Sequence, residues 1–569
     1  MTRAEMTRCG WEMLDVLIIT GDAYVDHPSF GAAMIGRVLE SEGLKVGIIA
    51  QPDWKDIESI QVMGSPRLMV GVTAGNLDSM LSNYTAARHK RKDDVYSAGG
   101  IPGRRPNHAA VVYAQMARRA FPGVPVILGG MEASMRRVAH YDYWEDKLRP
   151  SILTDSKADL LVYGMGERAI RDITRRLRDG NRDLSRIPGT AMLLGGKATA
   201  ATDFSDGVIL PSWEELQADK SLLLKLTRVT EVQQSPYCGK RLVQMHGSRA
   251  VVMEPPAMPV DGAELDELYE YPFQRMPHPS YKLPVPGFAT IKDSVIVSRG
   301  CAGGCTFCGL GLHQGKFLSS RGLDSVLKEV RRMGGADTFR GTVSDLGGPT
   351  ANLYGARNGH TPACHGCHRP SCLWPTICPF FEINEKPGLE MLRETRKLPG
   401  VKHVFVQSGI RMDVALRTPE YLRELVQHHV SGHLKVAPEH LDPGVLRRMR
   451  KPAGDFPAFM RQFAEMSREA GKEQYLVPYF ISSFPGCTEK EMGVVEDFLK
   501  KERWNLQQVQ DFIPLPMTAS AAMYVTGLCI HTGKPIPVAR NAGDREKQKR
   551  MFRPNPAHKR HARDLDTVD

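Results

Sequence analysis

No stretch of the 569 residues approaches the ~18 consecutive apolar residues that a membrane-spanning helix requires; Val16-Leu17-Ile18-Ile19 has only the length of a strand. The charged opening segment leads into no long apolar region, so no secretory leader and no membrane partner are expected, and the expected location is cytoplasmic. Repeats of solenoid or propeller period and long low-complexity tracts are both missing. With 42% hydrophobic and 24% charged residues the chain is neither a disordered polar polymer nor a membrane protein, and its length suits two or three domains. Its net charge of +11 permits a polyanionic partner, RNA included, but 75 basic residues are largely interspersed with 64 acidic ones. The basic runs Arg545–Arg553 and His558–Arg563 are expected to form a solvated or loosely ordered terminus.

What is present is strand–helix alternation. In residues 1–200, strands are predicted at Asp15–Thr20, Lys45–Ala50, Leu68–Thr73, Val124–Leu128 and Asp159–Tyr163, with an amphipathic helix over Gly31–Glu42. Apolar strands alternating with helices imply an α/β domain with a parallel sheet covered on both faces. Residues 201–288 are dense in proline and read as an extended connector. From 289 to 515 six strands and five helices alternate again, which predicts a partial barrel of six β/α units. The strands are Ser294–Ser298, Gly341–Asp345, His403–Ser408, His433–Ala437, Gln474–Phe480 and Gln507–Phe512. A cysteine-rich insertion occupies 357–383, and residues 516–569 form a basic C-terminal extension.

Cysteine is scarce except in one region. Cys9, Cys238, Cys487 and Cys529 are scattered, whereas the other seven of the eleven lie between 301 and 378. Without an export signal, clustered thiols argue for metal or iron–sulfur ligation over disulfides. Cys301, Cys305 and Cys308 follow the first barrel strand with C-x3-C-x2-C spacing, and Gly303-Gly304 allow the loop to curl. Three thiolates on a four-iron cluster leave one iron open to a small molecule. The alternative is a zinc knuckle closed by a fourth ligand such as His313.

The segment Arg299-Gly300-Cys301-Ala302-Gly303-Gly304-Cys305-Thr306-Phe307-Cys308 resembles the signature of the radical S-adenosylmethionine (SAM) superfamily. The resemblance implies a [4Fe-4S] cluster that reductively cleaves SAM to a 5′-deoxyadenosyl radical, which abstracts hydrogen from a substrate. It also implies an electron donor such as flavodoxin or ferredoxin. Gly347, Gly348 and Pro349 match the glycine-rich segment that receives the methionyl amine, although many members carry an acidic residue where Pro349 stands. Ser408, Arg411 and Asp413 follow the third strand as candidate ribose or carboxylate contacts. Longer words, among them His313-Gln314-Gly315-Lys316, Val436-Ala437-Pro438-Glu439-His440 and Gly21-Asp22-Ala23-Tyr24-Val25-Asp26-His27-Pro28, resemble the YgiQ family of that superfamily over nearly the whole chain. That family match implies a radical enzyme without naming its substrate. RNA modification, or a non-catalytic zinc-stabilised binding protein, stand as alternatives.

Cys364, Cys367, Cys372 and Cys378 read C-x2-C-x4-C-x5-C-P, a spacing open to zinc or to an auxiliary iron–sulfur cluster. The N-terminal domain resembles the Rossmann-like cobalamin-binding domains of some radical SAM enzymes. Their D-x-H-x-x-G motif is out of register here: relative to His27, Asp26 and Gly31 each stand one residue late, so cobalamin is not expected as a histidine-ligated cofactor, with binding without that ligand and no cobalamin at all both left open. Asp22, Asp26 and His27 then line a substrate pocket or cap the next helix. Glu439 and His440 past the fourth strand are candidate acid–base groups, Cys487 is a candidate hydrogen donor after the fifth, and Gln510 and Asp511 end the sixth.

Overall fold

The computed structural model describes residues 2–506 and 509–554. The apolar run at Val16–Thr20 forms β1, and every residue of it is buried. Its alternate side chains enter different cores. Leu17 and Ile19 pack with Ala110 and Tyr113 of α2 (Ala109–Ala120), while Val16 and Ile18 meet Met34 and Val38 of α1 (Gly31–Ser41) and Ile170 and Ile173 of α3 (Glu167–Arg178). Helices therefore cover both faces, as fully apolar strands require. The remaining strands of this sheet are β2 (Val46–Ala50), β3 (Met69–Thr73), β4 (Val126–Gly129), β5 (Leu160–Val162), β6 (Thr190–Leu194), β7 (Val208–Ile209), β8 (Leu242–His246) and β9 (Arg249–Met253). Their order is β7-β8-β9-β6-β5-β4-β3-β1-β2. The five strands β2-β1-β3-β4-β5 are mutually parallel. This is the doubly wound 2-1-3-4-5 order, whose switch point lies between the carboxyl ends of β1 and β3.

The connector expected over 201–288 is corrected by this sheet. β7, β8 and β9 all fall inside it and extend the sheet, with β8 and β9 as an antiparallel hairpin turning at Gly247, whose φ is +61°. Helix α4 (Leu222–Val232) also lies there and packs on the C-terminal extension. The prolines misled because most of them follow residue 254, while the apolar hairpin before them carries none.

The second unit is an open partial barrel. Strand β10 (Ser294–Ile296) runs parallel to β12 (Asp345–Gly347), and β11 (Thr342–Val343) runs parallel to β13 (His403–Val404). A parallel bridge joins Ile410 to Val436, after which β14 (His433–Glu439), β15 (Tyr475–Ser482) and β16 (Gln510–Asp511) pair in sequence. Helices α5 (Leu323–Gly334), α6 (Lys386–Arg396), α7 (Pro419–Glu424), α8 (Asp455–Glu469) and α9 (Glu489–Lys501) intervene. Two residues of the last predicted strand, Gln507 and Gln508, lie outside the described residues.

The C-terminal extension departs from a solvated tail. Helix α10 (Ala519–Thr526) packs on α4, and α11 (Ala542–Arg550) packs on α9. Arg545 is buried and donates to the Phe512 carbonyl at 2.6 Å, and Gln548 donates to the Cys487 carbonyl at 3.0 Å. Phe552 is fully buried beside Phe480. Helical spacing brings this otherwise charged segment's inward residues onto one side. The His558–Arg563 run lies outside the described residues. No helix among the described residues is long and apolar enough to cross a membrane.

Candidate functional site

The loop after β10 is shaped by contacts that exclude side chains. A Cβ on Gly300 would stand 2.0 Å from the Phe317 carbonyl oxygen, and one on Gly304 would stand 2.4 Å from that of Pro370; both residues have positive φ. A Cβ on Gly303 would lie 3.6 Å from Cys301 Sγ, 3.8 Å from Cys305 Sγ and 2.7 Å from Arg411 Nη1. Two thiols and a guanidinium thus face one small space. The Leu310 N–H points at Cys308 Sγ from 3.5 Å. Burial, reinforced by the neighbouring thiols, pushes Cys301 up and Cys308 up to about 12. Such thiols stay protonated until a cation replaces their protons. His313, the alternative fourth ligand, is turned elsewhere: its Nδ1 meets Ser134 Oγ at 2.9 Å.

At the strand ends, Gly347 and Gly348 are required by crowding. A Cβ on Gly347 would fall 2.0 Å from Ser408 Oγ, and one on Gly348 would fall 2.6 Å from Ser298 Oγ. Ser408 is held by Asp345, whose Oδ1 accepts the Ser408 and Gln407 N–H groups at 3.0 and 2.8 Å. Burial pushes the Asp345 carboxyl upward. Arg411 donates from Nε to Asp413 Oδ1 at 2.9 Å, so Asp413 aims the guanidinium at the first thiol loop. Glu439 is buried with a φ of +66°, and Lys451 Nζ lies 3.5 Å from its carboxylate. Its burial raises its pKa. His440 Nε2 and Cys487 Sγ meet at 3.4 Å in the interior, where burial lowers the histidine to about 4 and raises the thiol. This is a neutral pair, and Cys487 is only 1% exposed. Asp511 accepts from Ser482 Oγ at 2.9 Å and pairs with Arg545.

The carboxyl ends of the sheet and the barrel face one another across a cavity of about 610 Å³. The sheet contributes Thr73, Gly75, Gly129, Gly130 and Gly166, and the barrel contributes Arg299, Leu310, Gly347, Gly348, Pro349 and Ser408. Arg299 and Glu167 bridge the two units inside it, Nη1 to Oε1 at 2.6 Å. Asp22, Asp26 and His27 are neither pocket walls nor helix caps. Asp22 is spent on Arg105 and the Asn76 N–H, each at 2.7 Å, and Asp26 pairs with Arg37. His27 is buried with Nδ1 accepting the Ser29 N–H at 3.1 Å, and the cap of α1 is Phe30 without a side-chain bond.

Residues 1–294 match the radical SAM N-terminal family, and residues 295–499 match the radical SAM superfamily. A UPF0313 protein of Geobacter sulfurreducens is 48% identical over 96% of this chain and 90% of its own length. Another from Methanocella arvoryzae is 44% identical over 97% and 92%. The chain belongs to the UPF0313 (YgiQ) family of radical SAM proteins. It is a radical SAM enzyme. Among solved structures, a radical SAM methyltransferase, TsrM of Kitasatospora setae, with cobalamin and a [4Fe-4S] cluster bound, aligns with a TM-score of 0.52 at 14% identity. That alignment covers 95% of this chain and 85% of the other. The same protein with tryptophan and a SAM analogue bound gives 0.50 at 14% identity, covering 94% and 82%. This likeness establishes a shared fold.

In this UPF0313 chain the second cysteine group lies against the first. The Cys372 N–H donates to the Ala302 carbonyl at 3.0 Å, and Ser371 Oγ donates to that of Gly303 at 2.8 Å. Polar donors reach its sulfurs: Thr361 Oγ1 at 3.3 Å from Cys364, Asn358 Nδ2 at 3.4 Å from Cys372 and Lys316 Nζ at 3.8 Å from Cys367. His365 and His368 have carbonyl partners of their own, Gly359 and Val232. Cys238 is brought from the connector to 3.8 Å from His368 Nδ1, a neighbour that no spacing rule could have found. Among the described residues no three His, Cys, Asp or Glu side chains gather at single-ion distance. Glu167, Lys451 and Asn358 were also missed, because their role comes only from long-range packing.

Proposed function

We propose that Cys301, Cys305 and Cys308 hold the [4Fe-4S] cluster with one iron open, and that SAM lies between it and Gly347–Gly348 in the cavity shared by sheet and barrel. The observation that carries this is a loop of three half-buried thiols at a strand end with His313 turned to Ser134. The three thiols suit this cofactor, and they line a small cleft next to the loop residues Leu310 and Gln314 that wall the cavity. When bound, cluster and SAM supply one-electron cleavage of the sulfonium to methionine and a 5′-deoxyadenosyl radical that takes hydrogen from substrate. The protein's own part is electrostatic and steric. Arg411, fixed by Asp413, offsets thiolate charge. Gly347 and Gly348 let the β12 end pack against Ser408 and Ser298 while it lines the cavity with backbone. Asp345 holds Ser408 beside them. The test is anaerobic reconstitution: wild type should release 5′-deoxyadenosine on reduction, and Cys301→Ala/Cys305→Ala/Cys308→Ala should lose both the iron and that product. Cleavage that survives the triple substitution defeats the reading.

A second organic cofactor is favoured by the crevice itself. The sheet side of the cavity lies at the β1/β3 switch point, and a side chain on Gly129 would project into open space. This glycine floor suits a broad, flat ring, so a corrinoid held by Gly75, Gly129 and Gly130 without His27 ligation fits. It would supply cobalt-centred group transfer. Hydroxocobalamin retained through gel filtration, with a spectrum unchanged by His27→Ala, is the expected result; no retention removes this second reading.

A further inference from the structure

The second cysteine group is read here on the footing that the first holds the SAM-binding cluster. We propose that Cys364, Cys367, Cys372 and Cys378 carry a second iron–sulfur cluster that hands single electrons to the first. Four free cysteines stand in one insertion; Thr361 Oγ1 donates to Cys364 Sγ, and Asn358 and Lys316, whose shorter bonds go to the Lys316, Cys367 and Arg369 carbonyls, also come within reach of Cys372 and Cys367. Cluster thiolates are stabilised by such neighbouring donors.

Position supplies the function. The loop 370–372 is hydrogen-bonded backbone to backbone and side chain to backbone onto 302–303, so the two cysteine loops are in direct contact. The insertion's outer edge is open to solvent at Pro362, His365 and Gly366. A low-potential flavin or iron–sulfur protein gives up one electron at that edge. The second cluster takes it and passes it to the first, which delivers it to the sulfonium as the S–C5′ bond breaks. No atom is gained or lost on the way.

The experiment compares wild type, Cys372→Ser/Cys378→Ser and Asn358→Leu, each reconstituted anaerobically, with reduced flavodoxin or dithionite as reductant. Wild type should bind about six to eight irons and show two electron paramagnetic resonance signals; the double variant should keep about four irons and one signal. The double variant should retain dithionite-driven 5′-deoxyadenosine release within about two-fold while flavodoxin-driven release falls about ten-fold or more. Asn358→Leu should keep all its iron, lower the midpoint potential of the second signal and slow only the flavodoxin-driven reaction. Zinc in place of the second iron set, equal loss with both reductants, or an unchanged potential in Asn358→Leu overturns the proposal. Failure of wild type to cleave SAM with dithionite defeats instead the reading of the first site.

Discussion

Arg299 stands two residues before Cys301, and its buried ion pair with Glu167 joins sheet and barrel inside the cavity. The side chains are 8% and 2% exposed, the bond is 2.6 Å, and the second Glu167 oxygen has no hydrogen-bond partner. Tyr269 adds a phenolic oxygen 3.4 Å from Nε and a ring 5.4 Å beneath the guanidinium. Replacing the arginine by methionine fills the volume but strands a buried carboxylate. Breaking a buried pair from one side costs about 3–5 kcal/mol, a large share of a stability of about 5–15 kcal/mol. Glu167→Gln leaves Arg299 an amide acceptor and the Tyr269 ring, so its cost is nearer the ~1.5–3 kcal/mol of one charge-assisted bond. The double variant Arg299→Met/Glu167→Gln removes both charges and should be less destabilised than Arg299→Met alone, a coupling of about 2 kcal/mol. Urea unfolding with hydrogen exchange at 164–170 and 296–300 reads this out, the exchange identifying which transition opens the interface. If the two single effects simply add, the pair is not coupled and the latch between the units is something else.

The other predictions concern the site's walls and its surroundings. Gly348→Ala places a methyl 2.6 Å from Ser298 Oγ and 2.9 Å from its carbonyl oxygen. That overpacking costs about 1–3 kcal/mol and should weaken SAM binding by about ten-fold in calorimetry; wild-type affinity would show the strand end to be irrelevant. Arg411→Leu should leave iron content intact but make the first cluster harder to reduce, seen as a more negative midpoint potential, because a positive charge beside the thiolates is lost. Burial lowers His246, His429 and His440 to about 4 and His140 to about 3. Their unfolded forms bind protons from pH ~6.5 downward while the folded forms do not, so each removes up to ~1.4 kcal/mol per pH unit as the pH falls from there. Melting temperature should drop between pH 7 and 5, and His246→Gln should shallow the slope. Phe552→Ala empties a fully buried site against Phe480 and should cost about 3–5 kcal/mol; a loss under ~1 kcal/mol would return the extension to the role of a loose tail.

What could be read in advance divides along the range of the interactions. β1 to β5 were legible as short apolar runs separated by helical patterns, β1 being buried throughout, and the barrel strands were legible from their regular alternation with helices even where, as in β14, exposed and buried residues alternate. The three thiols of the first loop were legible because their chemistry depends on local spacing. The hairpin β8–β9 was not, since nearby prolines outweighed its alternation, and neither was the packed face of α11, where an arginine and a glutamine do the inward work that hydrophobic residues usually do. Ser408 and Asp413 were placed at the right strand end, yet nothing local announces that one is held by Asp345 and the other aims Arg411.

The same distinction explains why Asp22, Asp26 and His27 do not line the cavity. The loop after β1 does reach the switch point, but its charged residues are consumed in buried pairs with Arg105 and Arg37 before they can meet a ligand. A buried carboxylate with a guanidinium partner is electrostatically satisfied and has little left to offer a cofactor. What the cavity keeps for a ligand lies elsewhere: the second oxygen of Glu167 has no hydrogen-bond partner, Gly129–Gly130 and Gly347–Gly348 line it with backbone, and Arg299, Gln314 and Ser408 line it with side chains.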